Sequence, residues 1–94
     1  MAVSISLAGV LRPYAADEAT VVVPAERAET IGAVLDALAE RHPALDRRLR
    51  DESGALRRYV NFYVDGEECR RLAGADTPVP DGSEILILPS VAGG

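Results

Sequence analysis

The last six residues of the chain, 89–94, combine a terminal carboxylate with side chains that become small and then disappear. Fully extended, six residues span roughly 20 Å, which is long enough to enter the active site of another protein. A backbone without Cβ atoms lets an enzyme close tightly around it. We therefore predict that this C-terminal tail inserts into a partner enzyme and presents the carboxylate of Gly94 as the reacting group. The residues predicted to enter the partner are Val91, Ala92, Gly93 and Gly94.

The Gly94 carboxylate needs activation before it can react, because its negative charge repels nucleophiles. The simplest route is an acyl-adenylate made by a separate ATP-using enzyme, after which a sulfur donor can convert the group into a thiocarboxylate. The sequence carries no Walker motif, dinucleotide-binding fingerprint or nucleophile elbow. We therefore expect a carrier protein with no catalytic residues of its own, which binds no cofactor and receives ATP chemistry through its partner.

The composition argues against several classes of partner and indicates where the protein is located. The net charge is -5, so the chain lacks the concentrated positive field that nucleic-acid binding requires. A single Cys69 and a single His42 provide neither a disulfide nor a metal site. The sequence shows no signal peptide and no run of about 18 apolar residues, which predicts a soluble cytoplasmic protein with no membrane partner.

Two kinds of hydrophobic periodicity predict the elements that carry the tail. An i, i+3, i+4, i+7 pattern from Ile31 to Leu38, with Thr30 as N-cap, indicates an amphipathic helix that ends near His42-Pro43. Leu45 and Leu49 suggest one further short helical turn. Alternating or β-branched segments indicate strands, the third and fourth of them joined by a hairpin at Asp65-Gly66. The predicted strands are residues 2–7, 20–23, 58–64, 68–70 and 84–88, the last terminated by Pro89.

This order, β-β-α-β-β-β followed by a tail, is typical of one α+β architecture. It predicts the ubiquitin-like β-grasp, in which a mixed sheet of four to five strands packs on one main helix and the last strand lies centrally beside the first. We expect residues 1–88 to form the β-grasp domain and residues 89–94 to form a flexible C-terminal Gly-Gly tail.

Two strands have an apolar or aromatic face that a single helix would leave uncovered. In residues 84–88, either Ile85 and Ile87 or Leu86 and Leu88 should face away from the core. An exposed pair next to the tail would dock partners, unless loops or a second copy cover the strand on both sides. Tyrosines on one side of the third strand are either further docking residues or ordinary half-buried strand tyrosines. The candidate docking residues are Tyr59, Tyr63, Leu86 and Leu88.

Three segments resemble the MoaD/ThiS family of sulfur carriers. The last strand and tail, residues 85–94, are similar to the family's hydrophobic strand, proline and Gly-Gly end. Residues 56–66 and the opening Val10-Leu11-Arg12-Pro13 resemble the corresponding regions of its CysO-type members. The resemblance covers almost the whole chain. The Gly-Gly end is common to all branches of the family, whereas residues 56–66 favour the CysO type.

The resemblance implies a set of partners. A MoeB/ThiF-like enzyme would adenylate Gly94 and support its conversion to a thiocarboxylate. In CysO-type pathways the sulfur passes to a cysteine synthase that carries pyridoxal phosphate (PLP), and a metalloprotease releases the product. ATP and PLP would both be supplied through these enzymes.

Other functions are compatible with the same sequence. Within the family, the chain could be the small subunit of a molybdopterin synthase, or a carrier for thiamin or another sulfur-containing metabolite. In a different class, it could be a ubiquitin-like modifier conjugated through Gly94 to lysines of target proteins. A plain β-grasp interaction module with a functionless terminus is the remaining alternative.

Overall fold

The computed structural model describes residues 1–89, apart from the side chain of Arg71. Five strands and two α-helices make up these residues, with short 3-10 turns between them. The strands are β1 (Ala2–Leu7), β2 (Thr20–Pro24), β3 (Val60–Val64), β4 (Glu67–Glu68) and β5 (Glu84–Pro89), and the helices are α1 (Ile31–Arg41) and α2 (Pro43–Leu49). The 3-10 turns are Gly9–Ala15, Ala25–Arg27, Cys69–Arg71 and Gly74–Asp76.

The five strands form one mixed sheet in the order β2-β1-β5-β3-β4. The first strand, β1, pairs with β5 in parallel, with Ile5 opposite Ile85, while the other neighbours are antiparallel. The last strand of the chain is therefore the central strand of the sheet. It is hydrogen-bonded to β1 on one side and to β3 on the other.

Helix α1 forms for the reasons that the sequence indicates. The Thr30 side chain accepts a hydrogen bond of 3.1 Å from the amide of Ala33, which satisfies one of the free N–H groups at the helix start. The apolar side chains at i, i+3, i+4 and i+7 are buried against the sheet. At the other end, the amide of His42 donates to the carbonyl of Leu38.

A second helix replaces the single turn expected after His42. Proline lacks an N–H group and is well suited to the first turn of a helix, so Pro43 ends α1 and begins α2. Leu45 and Leu49 are both fully buried, which anchors α2 on the same side of the sheet as α1. The helical layer is therefore larger than the one main helix that was predicted.

Three strand boundaries differ from the expectation. Strand β3 begins at Val60 rather than at residue 58, because the amide of Val60 donates to the carbonyl of Arg57 and closes a turn. Strand β4 ends at Glu68, whose carboxylate accepts from the amide of Arg70 and caps a 3-10 turn. Pro89 is part of β5 rather than its terminator. It lies opposite Val60 and beyond the end of β1, where no ladder partner requires its missing N–H.

The hydrophobic core lies between one face of the sheet and the two helices. Alternate residues of each long strand point inward, as the period of a strand requires. The inward side chains of the sheet are Val3, Ile5, Leu7, Val21, Val23, Val60, Phe62, Val64, Ile85 and Ile87. They pack on α1 and α2, so the opposite face of the sheet carries no helix in the part of the chain that the structure describes.

Two leucines at contrasting depths test this assignment of the core. Leu38 on α1 is 0% exposed and Leu72 is 50% exposed. Leu38→Ala should lower the free energy of unfolding by about 2–5 kcal/mol, because it removes buried methyl groups and leaves a cavity. Leu72→Ala removes the same atoms at the surface and should change it by less than about 0.5 kcal/mol. Chemical denaturation monitored by circular dichroism measures both; equal losses would contradict the assignment.

Candidate functional site

Strand β5 carries the chain to the candidate reacting group. Its final residue, Pro89, lies opposite Val60 at the end of the sheet where β1 also ends. The predicted tail residues, Val91, Ala92, Gly93 and Gly94, lie outside the described residues. The structure does describe the surface around Pro89, the residue from which the tail continues.

The two faces of β5 differ in their exposure. Ile85 and Ile87 are buried in the core, whereas Leu86 is 38% exposed and Leu88 is half-buried. The register with both neighbouring strands decides which pair points outward. The structure thus places Leu86 and Leu88 outward, a choice between two pairs that the sequence left open, and their docking role stays a prediction.

Leu86 and Leu88 form an apolar patch with their neighbours on β3. Leu86 pairs with Tyr63 and Leu88 pairs with Asn61. On the other side of Leu86 lies Ser6, a small residue that leaves the leucine accessible. The resulting surface, called the outer patch below, consists of Asn61, Tyr63, Leu86 and Leu88. The outer patch faces away from both helices, and its two leucines lie in the strand that leads to the tail.

The hairpin between β3 and β4 borders the outer patch. Asp65 and Gly66 have φ values of 48° and 91°, the left-handed conformation that suits an Asp-Gly turn. The Asp65 carboxylate accepts a hydrogen bond of 2.9 Å from the amide of Glu84, at the start of β5. This hydrogen bond favours the charged carboxylate and lowers the pKa of Asp65 below its ordinary value. The turn is thus attached to the central strand.

Tyr59 does not belong to the outer patch, which corrects the prediction that it shares a face with Tyr63. The turn closed by Val60 ends the strand before Tyr59, so the alternation of side chains does not extend to it. Tyr59 is 53% exposed and lies at a depression on the helical side of the molecule. The residues that line this depression are Tyr14, Ala44, Arg47, Arg48, Arg57 and Tyr59.

Cys69 and His42 are the other side chains that could take part in chemistry, and both contact the surrounding fold. Cys69 is completely buried, and burial raises the pKa of its thiol, so the reactive thiolate is disfavoured. His42 Nε2 lies 3.1 Å from Glu18 Oε1 and joins the helical layer to the loop before β2.

Among residues 1–89, no group of three or more His, Cys, Asp or Glu side chains is arranged to hold a metal ion. No helix in this range is long and apolar enough to span a bilayer.

The site and the fold together define a class of protein. Parallel β1 and β5 at the centre of a mixed sheet, with α1 across one face, are the arrangement of ubiquitin-like β-grasp proteins. The chain belongs to the ThiS family, whose model matches residues 5–94. The match includes the last described strand and the Gly-Gly end.

Individual relatives agree with this assignment. The chain is 38% identical over 96 residues to the sulfur carrier protein CysO of Mycobacterium tuberculosis, with 100% of both chains covered. It is 34% identical to a chain in the crystal structure of the Amycolatopsis orientalis BexX/CysO complex, with a TM-score of 0.86 over 98% of this chain and 99% of that one. It is also 35% identical to small archaeal modifier protein 1 of Haloferax volcanii, over 80% of this chain and 82% of the relative.

These comparisons test several of the predictions made from the sequence. The β-grasp fold and the resemblance to the MoaD/ThiS family, including its CysO-type members, are confirmed. The prediction of a carrier protein rather than an enzyme is also confirmed, because the relative that matches over the full length is named a sulfur carrier protein.

The hydrogen bond from Glu84 to Asp65 predicts a pH-dependent contribution to stability. Because folding lowers the pKa of Asp65, the stabilisation is present above the ordinary aspartate value of 3.8 and is lost as the pH falls through the folded-state pKa. Asp65→Asn keeps an oxygen acceptor and tolerates the left-handed conformation but removes the charge. The variant should melt at a lower temperature than wild type at neutral pH, and the difference should disappear near about pH 2. Melting curves that stay equally separated at both pH values would contradict this account.

Proposed function

We propose that this chain is a sulfur carrier whose Gly94 carboxylate is adenylated, converted to a thiocarboxylate and used to donate sulfur to a biosynthetic enzyme. The observation that carries the proposal is the full-length similarity to a protein named sulfur carrier protein CysO, together with a family match that runs to residue 94. A CysO-type cysteine synthase is the proposed recipient.

The position of β5 supports this use of the tail. A central strand bonded to neighbours on both sides is a rigid base, and five further residues would span about 17 Å when extended. The folded domain can therefore remain outside a partner's catalytic site while Gly94 reaches into it. Glycine at the last two positions suits a narrow passage.

The proposed chemistry takes place in two partner-catalysed steps at the terminal carboxylate, the first at phosphorus and the second at the acyl carbon. A carboxylate oxygen of Gly94 attacks the α-phosphorus of ATP, and pyrophosphate leaves. A sulfur nucleophile then attacks the acyl carbon, and AMP leaves with the oxygen that it had bonded. If the nucleophile is sulfide, the product is the thiocarboxylate itself. If it is a persulfide, a thiol then attacks the donor's sulfur, forms a disulfide with it and releases the thiocarboxylate. A MoeB/ThiF-like enzyme is the proposed partner for adenylation.

Delivery of the sulfur is assigned to other partners. We propose that a PLP-dependent cysteine synthase accepts it and that a metalloprotease releases the product from Gly94. We propose that these enzymes bind PLP and ATP, because the sequence carries no Walker motif for binding ATP. Chemistry that uses ATP and reduced sulfur is consistent with the proposed cytoplasmic location, where thiols are kept reduced.

The outer patch is the proposed docking surface for these enzymes. Leu86 and Leu88 lie in the same strand as the tail, so contacts with them would hold Gly94 at a fixed distance from the partner's surface. Tyr63 adds area and a polar hydroxyl, a combination that is favoured at interfaces. A carrier must also leave each partner, and a small patch of this kind favours moderate affinity.

A specific comparison favours a second function, conjugation to other proteins. The similarity to small archaeal modifier protein 1 covers 80% of the chain. Both functions begin with an activated Gly94; they differ in whether sulfur or a lysine amine then attacks the acyl carbon. The chain contains no lysine, so any lysine acceptor must lie on another protein. Isolation of peptides linked through Gly94 to lysine side chains from cells would establish conjugation.

Mass spectrometry tests the proposed carrier function directly. Incubation with ATP, a sulfur source and the adenylating enzyme of the source organism should give the mass increase of replacing one oxygen atom by sulfur, located at Gly94. A variant lacking Gly93 and Gly94 keeps all described residues and should fold normally but remain unmodified. An unchanged mass of the wild-type chain, with an enzyme shown to be active, would refute the proposal.

Paired substitutions test the outer patch. Leu86→Asp should raise the KM for the carrier in adenylation by at least about tenfold with little change in kcat, because it places a charge in the apolar contact without touching Gly94. Val22 is the matched control. It lies on the same face of the sheet but in the edge strand β2, and it is 52% exposed. Val22→Asp should leave KM within about twofold, and equal effects of both variants would count against docking through the outer patch.

A further inference from the structure

The depression that contains Tyr59 is a concentration of positive charge on an acidic protein. Arg47, Arg48 and Arg57 line it together with the two tyrosines, whereas the chain as a whole has a net charge of -5. Arg47 and Arg48 come from α2, and Arg57 comes from the loop that follows. We call this surface the arginine depression.

Backbone contacts hold the arginine depression together. The amide of Arg57 donates to the carbonyl of Leu49, which places the loop against the end of α2. The Arg57 side chain then donates from Nε to the carbonyl of Arg47 at 2.9 Å. On the other side of the loop, the Arg70 guanidinium donates to the carbonyl of Arg57. These contacts fix Arg57 beside α2.

Aromatic contacts orient the second arginine. The guanidinium carbon of Arg48 lies 4.5 Å from the centre of the Tyr14 ring, which is the distance of a cation–π contact. Tyr14 belongs to the 3-10 turn Gly9–Ala15, so this contact joins α2 to the segment after β1. The contact holds the Arg48 guanidinium over the Tyr14 ring.

The arginines of the depression form no ion pairs among the described residues. The arginines that do form them are Arg27, Arg50 and Arg70. The Asp51 carboxylate lies within electrostatic reach of Arg57 and offsets part of its charge. The guanidiniums of Arg47 and Arg48 are thus left available to an external anionic group, whereas that of Arg57 is partly compensated.

The depression lies at the end of the sheet from which the tail continues. Tyr59 immediately precedes Val60, which is opposite Pro89, so the Cα atoms of Tyr59 and Pro89 are separated by at most about 9 Å. On the other side, the amide of Ala8 donates to the carbonyl of Ile87, and the turn that carries Tyr14 starts at the next residue. A protein that receives the tail must therefore approach this surface.

We propose that the arginine depression binds an acidic surface segment of the enzyme that adenylates Gly94, beside the entrance through which the tail passes. The inference rests on the proposed function. Arginine and tyrosine are the residues most enriched where interfaces concentrate binding energy. Arginines that are not held in ion pairs favour a partner surface rich in Asp and Glu. A protein surface fits this open depression better than a small anion, because the guanidiniums of Arg48 and Arg57 are already engaged by separate contacts, with the Tyr14 ring and with the carbonyl of Arg47.

The arginine depression would complement the outer patch. The outer patch is apolar and lies on the open face of the sheet, whereas the depression is charged and lies on the helical side. Contacts on both sides of the tail would fix the rotation of the carrier about the tail, which a single patch leaves free. Long-range attraction to the depression would also accelerate encounter with the enzyme.

Steady-state kinetics of adenylation test the proposal. The assay measures pyrophosphate release by the adenylating enzyme of the source organism, with the concentrations of carrier and ATP varied separately. The double variant Arg47→Glu with Arg48→Glu should raise the KM for the carrier by at least about tenfold at low salt, with kcat within about twofold of wild type. The difference should shrink as salt is added, because salt screens exposed charges.

The matched control changes the same number of charges elsewhere. Arg27→Glu with Arg41→Glu alters two exposed arginines near Glu40 and Val22, away from the depression. It should leave the KM for the carrier within about threefold of wild type, since it makes the same change in net charge and breaks contacts of Arg27 and Arg41 that lie away from the depression. The double variant Arg47→Lys with Arg48→Lys keeps the charge and should recover most of the lost affinity. Thermal melts of every variant check that the fold is intact.

Each other outcome would overturn the proposal. An unchanged KM for the folded Arg47→Glu, Arg48→Glu variant, with wild type adenylated normally, would remove the docking role and leave the carrier function standing. A change in the KM for ATP alone would show that the depression binds the nucleotide rather than a protein surface. Equal effects of the control pair would show that the increase in KM comes from the change in net charge and not from the depression. Failure of the active enzyme to adenylate wild type would refute the proposed function and this inference together.

Discussion

The two-sided pairing of β5 is the constraint on which the rest of the structure depends. Because β5 is bonded to β1 and to β3, it connects the two halves of the sheet, and its register determines which side chains face the helices. Ile85 and Ile87 complete the core, and Leu86 and Leu88 are thereby directed outward. The same strand carries the chain to Pro89. Core, outer surface and starting point of the tail are therefore set by one strand.

The sequence predicted the elements whose signals are local. Thr30 and the leucines of α1 form a complete local pattern, and the alternation in β1 and β3 is equally direct. The sequence did not determine whether Ile85 or Leu86 faces outward, since both faces of β5 are apolar; that choice depends on pairing with residues about 80 and 25 positions away. Tyr59 was placed wrongly because a turn at Val60 interrupts an alternation that the residue types alone would continue.

The arginine depression illustrates a limit of a different kind. Arg47 and Arg48 lie between the leucines that predict the short helical turn, whereas Arg57 precedes the predicted third strand. A hydrogen bond between the amide of Arg57 and the carbonyl of Leu49 brings these arginines together. Such proximity comes from tertiary packing and leaves no periodic signal in the sequence. The family assignment, by contrast, depended on segments that remain recognisable without coordinates, above all residues 85–94.

The central position of a late strand also has a consequence during synthesis. A nascent chain that has passed β4 but has not reached β5 contains two strand pairs, β1 with β2 and β3 with β4, and no strand that joins them. Their apolar faces stay exposed until β5 has left the ribosome and closed the gap, a contact between distant parts of the chain that forms slowly. The sheet is thus completed only after the strand that adjoins the C-terminal tail has been made. Incomplete chains present an open sheet, which proteases and chaperones recognise.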